Sequence, residues 1–486
     1  MLPKLSKTII SALIMMTFVS SFISQAAFAA DSLQPSDFRS ESWSKSLDLF
    51  EYVRKSGNVS GAKIPEGWST DLRLNYINVS GVKLLYAGFA GVSTDNASLI
   101  VPLQAFIEHF KTRDGLDAVT ASSFLMMMAF NDSSTSLYPD SPDQNDNLWA
   151  SFSLGRNLEQ FFGDSTPPQL SSSVETIPLA SNGDKTVWTW GMKYKNLMAI
   201  WWSLNRNGGK PGFNPLPMAL TVYDELSFSY RLVLDPAQGT AKLYLSYTIG
   251  EVRDLWHLGW FGFLPILVHY NDTGAYTVNK RVSDENVHRF LVKNNIKMSL
   301  ILFQRSLVID HATRSVSSNQ NVTDSSVDVS SGSVQTISDT NQKVYEVGFG
   351  EKKTYQLYNS TSGGVTEHDA VTRTSEIKNY ICNPVILVQT SLLRFLPKVI
   401  RLMVANQHQN EVEEQLNVTK VDYLYITSYP VFGGYKIVHD PLYTAYFKPT
   451  EQVTTSAEQL RGSLPLLLIA VGAVTAVVII IFLKRR

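Results

Sequence analysis

The sequence predicts a mainly β protein: one or two β-sandwich-like extracellular modules with a few accessory helices, followed by a single C-terminal transmembrane helix. Three observations lead to this fold class. Many short runs alternate apolar with polar residues, aromatic side chains make up 11% of the 486 residues, and an uncharged apolar run stands near each end. Alternation with period two buries one face of a strand, and aromatic residues pack well on such a face.

The first 29 residues have the layout of a secretory signal peptide. Lys4 and Lys7 precede an uncharged, mostly apolar run from Thr8 to Ile23. Alanines at positions 27 and 29 then supply the small residues that a signal peptidase recognises. The alternative is a retained N-terminal anchor, but the run is short for a membrane span. We therefore predict a signal peptide over residues 1–29.

The other end carries an apolar run of transmembrane length. No charged residue occurs from Leu464 to Leu483, and Lys484, Arg485 and Arg486 follow at once. A helix of about 20 residues spans roughly 30 Å, the thickness of the hydrocarbon core of a bilayer. Basic residues beside a span favour the cytoplasmic side. With a cleaved signal peptide, this predicts a single-pass type I protein of the cell membrane, with its ectodomain outside.

Changes in composition divide this exterior into modules. A Ser- and Pro-rich stretch separates two β-rich regions, and a second polar stretch lies inside the later region. We predict an N-terminal β-rich extracellular module with short helices at 30–165, a linker at 166–185, a second β-rich extracellular module at 186–448 (polar loop 315–342, helical segment 385–405), a stalk at 449–462, the transmembrane helix at 464–483 and a cytoplasmic basic tail at 484–486.

Apolar alternation between turn residues predicts the strands. In the clearest hairpin, Phe228, Tyr230 and Leu232 alternate before a DPAQG turn, and alternation resumes after it. The segment KVYEVGFGEKKTYQLY predicts a second hairpin with a glycine-rich turn. Further strands are predicted at 123–130, at 148–154, on both sides of a Lys-Asn break at 195–196, and two or three times between 421 and 447.

Near-helical spacing of apolar residues predicts helices over 40–55 and 101–115. A third helix, within 384–407, carries Arg394, Lys398 and Arg401 on one face. A basic amphipathic helix can lie on an anionic membrane. The reading that we favour is a helix packed across a sheet with its basic stripe in water.

Charge and cysteine content narrow the function classes. The net charge is −1, and removing the five basic residues of the two ends leaves 37 cations against 43 anions, so nothing favours a nucleic acid partner. Cys382 is the single cysteine and cannot form a disulfide within the chain. It is either a small buried residue or the site of an intermolecular disulfide. A membrane-tethered exterior without internal disulfides fits an archaeal cell surface better than an animal one.

Eight N-x-S/T sequons predict glycosylation of an exterior surface. Two of them lie in the similar hexapeptides NVSGAK and NVSGVK, but the residues that follow do not align, so a structural repeat is disfavoured. At the second hexapeptide we predict a turn leading into a strand from Val82. The predicted acceptors are Asn58, Asn78, Asn96, Asn131, Asn271, Asn321, Asn359 and Asn417.

One polar loop has the composition of a calcium site. Asp140, Asp143, Asn145 and Asp146 place four oxygen-bearing side chains within seven residues, and Ca²⁺ prefers such ligands. The same residue types are common in turns, and the spacing is not that of an EF-hand. No other cofactor is expected. A His and Asp set at Asp254, His257, His269 and Asp272 is better explained by packing among tryptophans.

The sequence shows no catalytic signature, so we expect a binding, adhesion or cell-envelope structural role, with a glycan, envelope or protein ligand. The alternative is a membrane-anchored extracellular hydrolase acting on carbohydrate, which needs two convergent carboxylates. The carboxylates available for such a pair are Glu159, Asp164, Asp224, Glu225, Glu251 and Asp254.

Overall fold

The structure is a computed structural model of the chain. It describes residues 33–48, 50–51, 54, 66–79, 81–93, 98–100, 102–111, 117–131, 147–154, 173–204, 206–207, 210–211, 217–235, 240–250, 252–261, 264–271, 274–277, 280–282, 296–310, 315–318, 333–338, 344–349, 354–359, 362–369, 371–374, 403, 423–430, 435–439 and 442–450. The predicted signal peptide, transmembrane helix and basic tail lie outside these residues.

The described part of the chain is mainly β. The first strands are β1 (Ser42–Leu47), β2 (Ser69–Val79), β3 (Val82–Ser93), β4 (Ser98–Leu99), β5 (Leu103–Lys111), β6 (Asp117–Asn131), β7 (Asn147–Leu154), β8 (Ser173–Ser181) and β9 (Val187–Leu204). The middle strands are β10 (Arg206–Asn207), β11 (Lys210–Pro211), β12 (Pro217–Asp235), β13 (Thr240–Ile249), β14 (Val252–Phe261), β15 (Leu264–Asn271), β16 (Gly274–Thr277) and β17 (Lys280–Val282). The last strands are β18 (Ile296–Asp310), β19 (Ser315–Ser318), β20 (Ser333–Ser338), β21 (Val344–Phe349), β22 (Thr354–Asn359), β23 (Val365–Asp369), β24 (Val371–Thr374), β25 (Tyr423–Pro430), β26 (Tyr435–His439) and β27 (Leu442–Thr450).

These strands form two antiparallel sheets, one of 25 strands and one made of β10 and β11. In the large sheet a continuous ladder runs through β1, β2, β3, β5, β6, β18 and β25. From β6 it also continues through β7 to β9, β12, β13, β26 and β22. We call the strands β2, β3, β5, β6, β18 and β25 the first layer, and β9, β12, β13, β26 and β22 the second layer.

Side chains from the two layers meet in one apolar cluster. Tyr86 of the first layer lies 5.8 Å from Trp190 and 5.2 Å from Tyr230 of the second layer, measured between ring centroids. Trp190 and Tyr230 are cross-strand partners and stack at 5.4 Å. The cluster extends from Ile77 to Ile437, and most of its members are large aromatic or branched residues.

The predicted β12–β13 hairpin is confirmed. Phe228 pairs with Tyr247, Tyr230 with Leu245 and Leu232 with Leu243, which are the residues whose alternation predicted it. The predicted turn at NVSGVK and the strand that follows it from Val82 are also confirmed, because Asn78 pairs with Lys83 and Val79 with Val82 at the start of β3. Gly81 in its two-residue turn has a φ of 84°, a conformation that glycine adopts without strain.

The Lys-Asn break in the sequence is a bend within one strand. β9 runs without interruption from Val187 to Leu204, whereas the sequence predicted two strands. Asn196 has a φ of 49°, so the strand changes direction there. Before this bend one edge of β9 pairs with β8, and after it with β7. The bend thus lets the same edge of β9 pair with β8 along its first part and with β7 along its second part.

The helix predicted over 101–115 is wrong, because β5 lies within it. The helix predicted over 40–55 is wrong for Ser42–Leu47, which form β1, whereas the described residues Phe50, Glu51 and Arg54 are helical. Within 101–115 the residues of β5 from Gln104 to His109 are all buried, so both faces of the strand are covered. Consecutive apolar residues on two buried faces imitate helical spacing. Within 40–55 the strand β1 alternates Ser with larger residues, and the Lys45 ammonium lies 5.0 Å from the Trp43 ring centroid. Lys45 lies on the same face of β1 as Trp43 and Leu47, so a polar residue interrupts the apolar face by which the sequence would indicate a strand.

The second predicted hairpin is wrong in its pairing. β21 and β22 both form, but β21 pairs with β20 and β27, whereas β22 pairs with β23 and β26. Local alternation predicts strands but does not indicate which strands pair with each other.

Three strands occur between 421 and 450, as expected. Strands β19 and β20 lie within the polar stretch 315–342, and β8 lies within 166–185.

Helical structure is limited to short pieces in the described residues, and none of them has the length and apolarity of a membrane span. A 3₁₀ turn covers Asp37–Arg39. Met403, the described residue of the predicted basic helix, is helical and fully buried. Its carbonyl oxygen accepts a hydrogen bond of 2.6 Å from the Lys83 ammonium of β3. At this residue the chain packs against the sheet.

A prediction follows from the tight spacing between β9 and β12. A Cβ atom added at Gly191 would meet the Phe228 carbonyl oxygen on the neighbouring strand and lie 3.2 Å from the Ser229 Cα. Because backbone atoms within a ladder cannot move aside easily, we expect Gly191→Ala to lower the free energy of unfolding by about 1–3 kcal/mol. Urea unfolding of the full chain in mild detergent, followed by tryptophan fluorescence, measures this change.

The matched control is Gly183→Ala in the β8–β9 turn, where an added Cβ meets nothing within 4 Å. Its free energy of unfolding should stay within about 0.5 kcal/mol of wild type. Equal effects of the two substitutions would contradict the close strand contact.

Candidate functional site

A row of tyrosine and histidine residues crosses four adjacent strands at one end of the second layer. Tyr247 of β13 lies opposite His439 of β26, and His439 lies opposite Tyr355 of β22. Tyr355 in turn lies opposite His368 of β23. Facing residues in neighbouring strands share one side of a sheet, so the row brings together residues that are far apart in sequence.

A fifth residue joins the row from the first layer. Tyr429 of β25 packs edge-on against the Tyr355 ring at 5.1 Å and against the His439 ring at 5.8 Å. Its hydroxyl shares hydrogen bonds with the Tyr247 hydroxyl and, at 2.5 Å, with His439 Nδ1. Tyr247 and His439 Nδ1 are also in hydrogen-bond contact at 2.8 Å. We call Tyr247, Tyr355, His368, Tyr429 and His439 the tyrosine–histidine cluster.

Burial determines what this cluster can do. Tyr355 and Tyr429 are 0% exposed, and His439 is 3% exposed. Only His368, at the end of the row, is partly exposed, and its Nε2 shares a hydrogen bond of 2.9 Å with the Thr366 hydroxyl. Imidazole and phenol groups can transfer protons, but here the central groups are shielded from solutes. The arrangement is a hydrogen-bonded junction that joins the two layers.

A second polar junction lies deeper between the layers. The side-chain oxygen of Gln104 accepts hydrogen bonds from the Tyr86 hydroxyl, at 3.1 Å, and from the Tyr230 hydroxyl. The Tyr194 hydroxyl donates to the Phe89 carbonyl oxygen across the layers at 3.1 Å. Burial raises the pKa of Tyr86, Tyr194 and Tyr230 above the usual value, so these hydroxyls stay protonated. They act as neutral hydrogen-bond donors.

Glu108 is a buried carboxyl group on the same face of β5 as Gln104. It is 1% exposed, and neither of its side-chain oxygens has a hydrogen-bond partner. Leu84 and Thr120 lie opposite it in the neighbouring strands. Burial raises the pKa of Glu108 to about 8, so the group is mostly neutral at pH 7.

The described sequons lie at the ends of strands. Asn131, Asn271 and Asn359 are the last residues of β6, β15 and β22, and Asn78 is the penultimate residue of β2. Asn359 also begins a turn, in which its side-chain oxygen accepts a hydrogen bond of 2.8 Å from the Ser362 amide. The remaining predicted acceptors lie outside the described residues: Asn58, Asn96, Asn321 and Asn417. Glycosylation at all eight positions stays a prediction.

The predicted calcium loop, with Asp140, Asp143, Asn145 and Asp146, lies outside the described residues. In the part of the chain that is described, no group of three or more His, Cys, Asp or Glu side chains is arranged to hold a metal ion. The ladder between β14 and β15 places Trp256, rather than His257, opposite His269.

Two of the six candidate hydrolase carboxylates have described side chains. Asp224 and Glu225 are consecutive residues of β12, so they point to opposite faces of the strand. Glu225 forms an ion pair of 2.7 Å with Lys193. Asp254 lies in β14, and Glu159, Asp164 and Glu251 lie outside the described residues. These positions give the hydrolase alternative no specific support.

Sequence reasoning missed the tyrosine–histidine cluster, Gln104 and Glu108. Alternation in TYQLY and YKIVH could have placed Tyr355 and His439 on the buried faces of strands. It could not have shown that these strands are neighbours, because they lie about eighty residues apart. The burial of Glu108 was missed because the sequence predicted a helix there, and a charged residue of that helix would have faced water.

No protein-family profile, curated protein or solved structure matches this chain.

The tyrosine–histidine cluster leads to a prediction about stability. Tyr429→Phe removes one hydroxyl from a buried hydrogen-bonded junction and leaves the ring in place. Because the remaining polar groups stay buried, we expect the free energy of unfolding to fall by about 1–3 kcal/mol. Urea unfolding of the full chain in mild detergent measures the change.

Tyr358→Phe is the matched control, because the Tyr358 hydroxyl donates to Gln356 Oε1 within one partly exposed strand end. It should change the free energy of unfolding by less than about 0.5 kcal/mol. If Tyr429→Phe lowers the free energy of unfolding as little as this control does, the tyrosine–histidine cluster does not hold the layers together.

Proposed function

We propose that this chain is a single-pass cell-surface protein with a large extracytoplasmic β-rich ectodomain that has a binding, adhesion or cell-envelope structural role. The observation that carries the proposal is the uncharged run Leu464 to Leu483, followed at once by three basic residues. A signal-peptide layout at the other end of the chain complements it. The ligand class is a glycan, an envelope component or another protein.

The fold of the ectodomain is proposed to be β-sandwich-like. Support comes from the contacts of Tyr86 with Trp190 and Tyr230, and of Tyr429 with Tyr355. In both places, side chains from the first layer pack on the second, as the inner faces of sandwich sheets do. We propose one or two such modules, with the linker between them at 166–185.

The structural role gains support from where the aromatic and polar groups lie. Among the described side chains, the largest that are fully buried are aromatic: Trp190 and seven tyrosines, among them Tyr86, Tyr230, Tyr355 and Tyr429. The hydroxyl groups of Tyr86, Tyr194 and Tyr429 hydrogen-bond within and between the layers. Such a core stabilises a rigid scaffold, and the four described sequons occupy strand ends, where attached glycans would not disturb the core.

Cell fractionation tests the topology. We expect the full chain to sediment with membranes and a chain truncated after Gly462 to be released into the medium. The control is truncation after Leu483, which removes only the basic tail and should stay with membranes. Full chain in the soluble fraction, or truncated chain retained inside the cell, would contradict the proposal.

Mass spectrometry and ligand screens test the role. The intact mass of the native protein should exceed that of the bare processed polypeptide, because exterior sequons acquire glycans. The purified chain should retain glycan, envelope or protein ligands without cleaving them. Robust hydrolysis of a glycan, abolished by replacing a pair of carboxylates with their amides, would favour the hydrolase alternative.

A further inference from the structure

Among the carboxyl groups whose side chains the structure describes, Glu108 is the one with both oxygens buried and without a hydrogen-bond partner. It lies between Leu84 and Thr120 in the middle of the first layer, on the face that also carries Phe106. Phe106 contacts the Tyr230 ring of the second layer at 5.6 Å. The carboxyl group therefore belongs to the contact between the layers, where a charge has no water to solvate it.

Among the residues whose side chains the structure describes, no cation forms an ion pair with Glu108. The titratable residues of the buried cluster between the layers are tyrosines: Tyr86, Tyr194, Tyr223, Tyr230, Tyr247, Tyr355 and Tyr429. Arg73 of β2 lies on the same face of the first layer as Glu108, and its guanidinium forms an ion pair of 2.8 Å with Asp71 of its own strand. Lys83 of β3 and His109 of β5 are cross-strand neighbours on the opposite face of the sheet. The Lys83 ammonium donates a hydrogen bond to the Met403 carbonyl oxygen. Lys193 and Lys195 of β9 are partly exposed and bind Glu225 and Glu175. Burial is the cause of the raised pKa of Glu108.

We propose that Glu108 is a pH-sensitive switch built into the core, which is neutral and packed at neutral pH and whose ionisation in mildly alkaline solution loosens the contact between the two layers. In its protonated form the side chain behaves as a compact polar residue among aromatic rings. Once ionised, it must draw in water or move, and either response separates Phe106 from Tyr230.

The sign of the pH dependence follows from the direction of the shift. The folded chain keeps the Glu108 proton up to about pH 8, whereas an unfolded chain releases it near the ordinary value of 4.5. The contribution of this group to stability is therefore fully present below about pH 4.5. It is lost as the pH rises through about 8, because the unfolded state binds fewer protons over that range.

The test compares the full wild-type chain with Glu108→Gln, a neutral side chain of the same shape, in urea unfolding from pH 5 to pH 9 in mild detergent. The folding equilibrium constant of wild type, divided by that of the variant, should fall by up to about tenfold per pH unit until about pH 8 and then level off. Glu66→Gln, which replaces an exposed carboxylate, should leave the wild-type profile unchanged.

Hydrogen exchange tests the loosening itself. The amide exchange rates of Leu84 and Phe106 in wild type, divided by those in Glu108→Gln, should rise between pH 7 and pH 9. If Glu108→Gln does not fold, Glu108→Met replaces it and should be more stable than wild type at pH 8 and above. Parallel pH profiles of wild type and the folded variant would overturn the proposal.

Discussion

The contact of Tyr86 with the stacked pair Trp190 and Tyr230 is the interaction on which the rest of the architecture depends. It joins two layers whose strands belong to one continuous antiparallel ladder. A sheet this long must turn back on itself, because neither layer can bury its apolar face alone. Aromatic rings of this size fill the space between the layers, and each buried hydroxyl then requires a hydrogen-bond partner.

The two polar junctions are consequences of that requirement. The Gln104 side-chain oxygen receives two tyrosine hydroxyls near the centre, and His439 Nδ1 contacts two more at the far end. Both junctions use residues from both layers, so they constrain how the layers lie on each other as well as how firmly. Glu108 occupies the same interior with neither carboxyl oxygen hydrogen-bonded, and its proton keeps the group neutral there.

The structure and the proposed surface role are linked by the division between interior and exterior. Most described aromatic residues pack in the core, whereas the described sequons and surface ion pairs such as Lys195 with Glu175 lie at strand ends or exposed faces. An exterior protein that cannot rely on internal disulfides needs another source of rigidity. In the proposed role, buried tyrosine hydroxyls in hydrogen-bonded junctions would supply it.

The sequence by itself determined the class of fold and many of the strands. Period-two alternation located the β12–β13 hairpin to the residue, and the NVSGVK turn with it, because both signals act between near neighbours in the chain. The tertiary structure alone decided that Gln104 to His109 form a strand buried on both faces. It also decided that β21 and β22 pair apart, and that Tyr247, Tyr429 and His439 meet. Those outcomes depend on contacts between segments that are distant in the sequence. The apolar pattern of a single strand indicates that one of its faces is buried, but it does not indicate which segment covers that face.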